Sequence, residues 1–184
     1  EDQDFFRFFG IFRNVTLKAI PDVHVQDMWI KPTLNEDNTS GAIRVDVKIS
    51  AVKVGEKSAK FILADKSGNK LLCKDIALED TAGIVQGSMM AEVEKVIPWD
   101  NRSPYLYEAF IEVYENGQLA EVVFYRVGFR RLEIIDKVMY LNGKRLILTG
   151  VNRHEWNAKT GRVIGMDEMI SDMKCVKRNN INAV

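Results

Sequence analysis

The sequence predicts a mainly β protein, in which an immunoglobulin-like antiparallel β-sandwich precedes the start of a parallel α/β fold. From residue 23 to residue 134 the dominant hydrophobic period is two, which is typical of strands with one buried and one solvated face. Turn signals separate about seven such runs. After residue 134 the pattern changes to a continuous apolar stretch followed by an amphipathic helix.

Individual strands and turns support the predicted sandwich. Residues 42–49 alternate apolar and polar side chains without interruption. Asn116-Gly117 separates two further strands, and Ser67-Gly68-Asn69 separates another two. Because Asn and Gly tolerate the positive φ that tight turns require, both segments predict β-hairpins.

The segment before the sandwich is unusually apolar. Residues 5–20 contain closely spaced aromatic and branched side chains, interrupted only by Gly10, and predict a terminal strand of a neighbouring domain. Pro21 lacks a backbone donor and ends this run. We therefore divide the chain into residues 1–20, 21–134 and 135–184. We also expect it to be a section of a longer polypeptide, because both ends look cut.

The segment after the sandwich predicts one βα unit and the start of a second. Residues 138–145 resemble a short hairpin, and residues 146–151 form the continuous apolar run of a parallel strand covered on both faces. Asp167 is the predicted helix cap, and Asn179-Asn180 the predicted end. The helix presents an apolar stripe of Met169, Ile170, Met173 and Val176.

Composition excludes several classes of partner. Lys plus Arg and Asp plus Glu both number 26, so the net charge is zero and we expect no nucleic acid partner. Apolar runs are too short for a membrane span, and we expect no membrane partner. Cys73 and Cys175 lie in unlike surroundings and predict buried, reduced thiols. The expected protein is soluble, and the sequence does not choose between cytoplasm and periplasm.

Two segments concentrate polar residues. Glu1-Asp2-Gln3-Asp4 precedes the aromatic run and is either a solvated loop or a site where a carboxylate binds a hydroxylated ligand or a hard cation. Residues 152–157, Asn-Arg-His-Glu-Trp-Asn, follow the apolar strand directly. Catalytic groups of α/β barrels lie at the carboxyl ends of strands, which makes His154 a candidate.

Each of these residues also has a purely structural interpretation. His154 could be a satisfied polar or surface residue, and Trp156, whose flat face suits a sugar ring, could simply pack. His24 lies in an ordinary strand and is interpreted as structural. The sequence contains no phosphate-binding loop, nucleophile elbow or metal-ligand cluster. Nothing in the sequence pairs Asp4 with Glu155 as two catalytic carboxylates, and we reject that pairing.

Five segments together resemble one family. Residues 1–7, 10–15, 141–144, 150–155 and 179–184 are similar, in order and spacing, to the glycoside hydrolase family 2 β-galactosidases. The resemblance implies three domains: a jelly-roll sugar-binding domain, an immunoglobulin-like domain and a catalytic (β/α)8 barrel. This chain then corresponds to the terminal strand of the first, all of the second and the truncated start of the third.

The resemblance also implies roles for two residues. Asp4 matches an aspartate that contacts the galactosyl 6-hydroxyl and helps to hold sodium, and His154 matches a histidine that stabilises the transition state. The retaining mechanism requires two glutamates about 5–5.5 Å apart, and both are expected beyond Val184. The chain alone is therefore expected to need no cofactor and to be inactive. The parent is expected to use sodium or magnesium, a β-galactoside substrate, its remaining domains and a homo-oligomeric partner.

Three points stay open: the sugar, the aglycone and the functional class. Family 2 β-glucuronidases share the Gly-x-x-Arg-His-Glu segment, and only Glu1-Asp2-Gln3-Asp4 favours a galactosidase. Trp156-Asn157-Ala158 stands where some galactosidases carry further histidines, which leaves the aglycone preference open. A free-standing sandwich module that binds carbohydrate or protein is the alternative from a different functional class.

Overall fold

The computed structural model describes residues 10–11, 13–51, 55–81 and 84–184. It divides into two units, Ile20–Leu146 and a second that joins Ile147–Val184 to the segment ending at Ala19. The elements of the described chain are β1 (Val23–Leu34), β2 (Gly41–Ala51), β3 (Lys57–Ala64), β4 (Lys70–Thr81), β5 (Ile84–Val93), β6 (Tyr107–Glu115), β7 (Gln118–Val127), β8 (Leu132–Ile135), β9 (Val138–Leu141), β10 (Lys144–Arg145) and α1 (Met166–Arg178).

Strands β1 to β7 form the predicted immunoglobulin-like sandwich. Their order is β1-β2-β5-β4-β3-β6-β7, and all neighbours are antiparallel. The first part of β4 pairs with β3, where Ala59 lies opposite Ile76, and its last part pairs with β5, where Ala77 lies opposite Ser88. Strand β4 thus passes from one layer to the other, which gives the four-plus-three layering of immunoglobulin-like domains.

The core lies between these two layers. Burial alternates along β6, as the period-two pattern requires. Each fully buried Ile or Phe side chain contributes about 1.5–3 kcal/mol relative to an exposed one. The largest fully buried side chains are Tyr107, Phe61, Phe129, Ile43, Ile49, Leu63, Ile111, Val23, Val45 and Val113.

Tyr107, at the start of β6, fixes a corner of the sandwich. Its hydroxyl accepts a 2.7 Å hydrogen bond from the Ile97 N–H, and its ring packs edge-on against Phe129 at 5.4 Å. Burial raises the pKa of its hydroxyl. Immunoglobulin-like domains use a tyrosine at this position in the same way.

The predicted hairpins are confirmed by their backbone angles. Asn116 and Gly117 have φ of 50° and 76°, and the turn between β3 and β4 contains Gly68 with φ of 84°. The Asp65 carboxylate closes that turn by accepting hydrogen bonds from the backbone N–H groups of Ser67 and Asn69. The β9–β10 hairpin matches the one predicted at residues 138–145.

Close strand contacts place two strict demands on the sequence. A Cβ atom at Gly87 would lie 2.2 Å from the Ala77 carbonyl oxygen, so β4 and β5 approach only because residue 87 is glycine. At the bulge after Val25, the Val25 N–H donates a 2.6 Å hydrogen bond to the Glu121 carboxylate of β7. The Glu121 side chain thereby gives one backbone N–H of the edge strand β1 a hydrogen-bond partner.

The structure corrects two predictions made from the sequence. Cys73 and Cys175 are free but exposed rather than buried, because Cys73 lies on the outer face of β4 and Cys175 lies off the apolar stripe of α1. Residues 13–20 form no strand in the described chain, and Val15 and Leu17 are exposed. Residues 5–9 and 12 of that predicted strand lie outside the described residues.

The turn between β1 and β2 generates a pH-dependent prediction. The Asp37 carboxylate accepts hydrogen bonds from the backbone N–H groups of Thr39 and Ser40 and from the Ser40 hydroxyl, at 2.8, 3.0 and 2.8 Å. The Thr39 bond first, and then those from Ser40, lower the pKa of Asp37 from 3.8 to about 2. Because the folded pKa lies below the unfolded one, this stabilisation is present above about pH 4 and is lost towards about pH 2.

We expect wild-type protein to be more stable than Asp37→Asn near neutral pH, with the difference shrinking as pH falls from about 4 to 2. Urea unfolding of both proteins across this range measures the difference. Other carboxylates titrate equally in both proteins and cancel. A difference that stays constant with pH would contradict the assigned role of Asp37.

Candidate active site

Two parallel extended segments and α1 form the predicted βα unit. The Gly150 and Ala183 backbones make a parallel bridge, and the Val151 N–H donates to the Ala183 carbonyl at 3.2 Å. One residue earlier along each segment, the Asn182 N–H donates to the Thr149 carbonyl at 2.9 Å. Residues 151–165 therefore leave the carboxyl end of the first segment, where α/β barrels place their functional groups.

The first segment differs from the covered strand that the sequence predicts. Residues 146–151 make only this one bridge in the described chain, and the side chains of Ile147 and Leu148 are 65% and 55% exposed. The Asn182 side chain takes the place of regular pairing. Its Oδ1 accepts the Thr149 N–H at 2.7 Å, and its Nδ2 donates to the Ile147 carbonyl at 2.8 Å.

Helix α1 closes the unit two residues before the predicted start. Gly165, in extended conformation, is the N-cap, and its N–H donates a 3.0 Å hydrogen bond to the Glu168 carboxylate. Asp167 lies in the first turn, so the predicted cap is wrong. The negative charge of Asp167 still interacts favourably with the positive, amino-terminal end of the helix dipole. Asn180, with φ of 58°, ends the helix as predicted.

His154 is exposed and lies between two charged residues with partners on other elements. The Arg153 guanidinium donates through Nε and Nη2 to Asp172 Oδ2 of α1, at 3.0 and 2.6 Å. Glu155 forms an ion pair with Arg13, whose Nη1 also donates to the Arg162 carbonyl at 2.8 Å. The structure therefore joins the 10–15 segment to the loop that carries His154.

The remainder of the loop is held by a local turn. Asn157 and Gly161 exchange two backbone hydrogen bonds of 2.8 Å, and Gly161 has φ of 63°. The Trp156 ring lies beside Gly161 and remains partly exposed. Trp156 thus combines packing on the turn with an accessible surface, and its contact with a sugar ring stays a prediction.

The roles expected of Asp4 stay predictions, because Asp4 lies outside the described residues. Among those described, no group of three or more His, Cys, Asp or Glu side chains could hold a metal ion. A hard cation takes oxygen ligands, and the described residues bring together no cluster of carboxylates that would supply them to sodium or magnesium. No helix in this part of the chain has the length and apolar character to cross a membrane.

A second polar site, which the sequence reasoning missed, lies on the outer face of the sandwich. A groove of about 430 Å³ crosses four strands, where the register aligns Trp29, Asp46, Ser88 and Ala77 in one row. The small side chains of Ser88 and Ala77 leave a depression beside Trp29, which is 64% exposed. Asp27, Lys48, Gln86 and Glu79 form the adjacent row.

Ion pairs order one side of this groove. Arg44 donates to Asp46, and this hydrogen bond is the largest cause of the lowered pKa of that carboxyl. Lys31 Nζ lies 3.2 Å from Asp46 Oδ2 and 3.2 Å from the centroid of the Trp29 ring. Once β1 is known to pair with β2, their register places Trp29 opposite Asp46. This pairing is the signal by which the row could have been found from the sequence.

Comparisons with known proteins give the family. The profile of glycosyl hydrolases family 2 matches residues 23–130, and that of the family 2 TIM barrel domain matches residues 132–184. The chain belongs to glycosyl hydrolases family 2. The resemblance deduced from the sequence motifs is therefore confirmed.

Similar proteins are longer than this chain. It is 44% identical to the β-galactosidase large subunit of Lactobacillus acidophilus, covering 100% of this chain and 29% of that protein. It is 44% identical to a β-galactosidase of Streptococcus thermophilus, again over 100% of this chain but 17% of that protein. The solved structure of Bacteroides uniformis β-glucuronidase 3 gives a TM-score of 0.76 at 26% identity, covering 93% of this chain and 21% of that one.

Proposed function

We propose that this chain is the central, non-catalytic section of a retaining β-galactosidase, linking a sugar-binding domain to the catalytic barrel. The observation that carries the proposal is the His154 loop at the carboxyl end of a parallel segment, within the part that matches the family barrel. The names and greater lengths of the similar β-galactosidases support it. In this proposal Asp4 and His154 contribute to an active site completed elsewhere.

The choice of galactoside over glucuronide rests on sequence identity. The β-galactosidases reach 44% identity, whereas the similar β-glucuronidase structure has 26%. A shared fold at lower identity fits both sugars. A family 2 β-glucuronidase is therefore the competing outcome in each activity test below.

In this mechanism the chain binds and stabilises but does not break the glycosidic bond. Cleavage with retention requires a glutamate acid/base and a glutamate nucleophile, which we place in barrel strands beyond Val184. The His154 imidazole donates a hydrogen bond to a galactosyl hydroxyl. That bond assists the reaction only if it tightens as the ring flattens towards the oxocarbenium-like transition state.

We propose that the Asp4 carboxylate accepts a hydrogen bond from a second hydroxyl and would supply one oxygen ligand to a sodium ion in the parent protein. Such an ion would organise oxygen atoms around the substrate. The described residues contain no carboxylate cluster that would complete the coordination of this ion.

The apolar surface of the second unit supports partners within the same polypeptide. Ile147, Leu148, Met166 and Ile170 of the βα unit are all large hydrophobic side chains that remain exposed. Several exposed large apolar side chains on one unit favour an interaction site. We assign this surface to the remaining (β/α) units of the barrel, and a homo-oligomeric contact is also proposed.

The first functional prediction concerns the purified 184-residue chain. It should not hydrolyse a chromogenic β-galactoside or β-glucuronide, because the proposal places both glutamates that cleavage needs in later barrel strands. Absorbance assays with both substrates measure this. Turnover that is abolished by replacing a residue of this chain would contradict the proposal.

The second concerns His154 in the full-length protein. His154→Ala should lower kcat more than it raises KM, by roughly 30- to 1000-fold, because a differential hydrogen bond is worth about 2–4 kcal/mol. His24→Ala is the matched control, since His24 lies on β1 and bonds the Pro21 carbonyl. A lowered Tm with unchanged kcat for His154→Ala would instead assign His154 to bracing the loop.

A carbohydrate-binding module is the second candidate function, and the groove beside Trp29 favours it. An exposed aromatic ring bordered by carboxylates, an amide and a hydroxyl matches the recognition of a neutral sugar, and the volume suits one or two sugar rings. This function needs no residue of the His154 loop. It can therefore be tested separately.

We expect lactose to shift the amide NMR signals of groove residues in this chain. Trp29→Ala should weaken binding about 3- to 10-fold, since aromatic contacts of this type contribute about 0.5–1.5 kcal/mol. Met90→Ala is the control, because Met90 is similarly exposed on the same sheet but does not line the groove. Equal weakening by both variants, or no shifts with lactose, would eliminate this candidate.

A further inference from the structure

We infer that Arg13 and Asp172 are positioning residues for His154, acting through the two ion pairs that flank it. We call this pair of interactions, Arg153–Asp172 and Glu155–Arg13, the loop clamp. The catalytic consequence of the loop clamp rests on the function proposed above. Its structural consequence, the ordering of His154, does not.

The Arg153–Asp172 interaction joins the loop to the helix. Two nitrogens of one guanidinium contact the same carboxylate oxygen, and the Arg153 side chain is only 17% exposed. A planar guanidinium held at two of its nitrogens has little freedom to rotate. Because Asp172 lies in the middle of α1, the backbone at residue 153 is tied to a regular element.

The Glu155–Arg13 interaction joins the loop to a distant part of the sequence. Arg13 binds the Glu155 carboxylate with one terminal nitrogen and the Arg162 carbonyl with the other. One guanidinium therefore binds both residues that flank the segment 156–161, which contains Trp156 and the turn after it. The partners are 142 residues apart in sequence and belong to the same structural unit.

Together the two interactions fix the backbone on both sides of His154. The Arg153 and Glu155 side chains bind different partners, so the backbone between them has little freedom to move. Exposed ion pairs add little to global stability. Their effect here is on position, which matters because small misplacements of a catalytic group reduce rates strongly.

The chain contains only two histidines, which permits a direct test in the intact 184-residue chain. We would record the Cε1–H NMR signals of His154 and His24 in wild type, Asp172→Asn, Arg13→Gln and the double variant. We expect the His154 signal to broaden or split in each variant, most in the double variant. The His24 signal, from the sandwich, should not change.

Glu133→Gln is the matched control. It neutralises the partner of Arg131, in a pair at 2.9 Å whose side chains are 20% and 36% exposed, comparable with 17% and 46% for Arg153–Asp172. It should leave the His154 signal unchanged. The exchanged pair Arg13→Glu with Glu155→Arg should sharpen the signal relative to Arg13→Glu alone, which shows that charge pairing rather than misfolding is responsible.

The same variants in the full-length protein separate this inference from the proposed function. Asp172→Asn should lower kcat on the order of 10- to 100-fold, with little change in KM. A changed His154 signal with unchanged kcat would support the loop clamp and contradict the catalytic role of His154. A His154 signal that stays the same in both single variants and the double variant would overturn the loop clamp.

Discussion

The sandwich depends on strand β4 pairing with different partners along its length. If all of β4 paired with β3, the sheet would have no connection to β5, and the two layers would not face each other across one core. The change of partner between Ile76 and Ala77 requires the close approach that Gly87 permits on β5. The same change of partner places β1, β2, β5 and β4 side by side beneath the outer groove. One pattern of strand pairing therefore produces both the core and the groove.

The second unit is held together in a different way. Its βα unit buries few side chains in the described chain, and polar interactions define its shape: the Asn182 amide between two extended segments, the Glu168 cap of α1 and the loop clamp. Polar contacts of this kind fix geometry more than they add stability. This suits a segment whose proposed role is to present one imidazole in a defined place.

The sequence predicted the elements whose causes are local. The Asn116-Gly117 and Asn142-Gly143 turns need positive φ, and the alternating strands need a single buried face, so both could be read from residue types. Predictions failed where a distant partner decides the outcome. The Asn182 side chain, 33 residues from Thr149, binds residues 146–151 in place of regular strand pairing. The helix cap was missed for a local reason, because Gly165 has no capping side chain and Glu168, three residues on, accepts its N–H.

The site was predictable to a similar extent. The position of His154 followed from its place after an apolar segment, and the family resemblance that it completed is confirmed. The partners of its neighbours were not predictable, because Arg13 and Asp172 are separated from the loop by 142 and 19 residues. The groove beside Trp29 was missed for the same reason, since its members lie on four strands.

We propose that this chain supports a glycosidase reaction whose nucleophile lies outside it. Its most direct test treats the full-length protein with a 2-deoxy-2-fluoro-β-galactoside bearing a good leaving group, which traps the covalent glycosyl-enzyme of a retaining enzyme. Mass spectrometry of the digested protein then locates the adduct. We expect a galactosyl adduct on a glutamate outside these 184 residues. An adduct on a residue of this chain, or labelling by the glucuronide analogue alone, would contradict it.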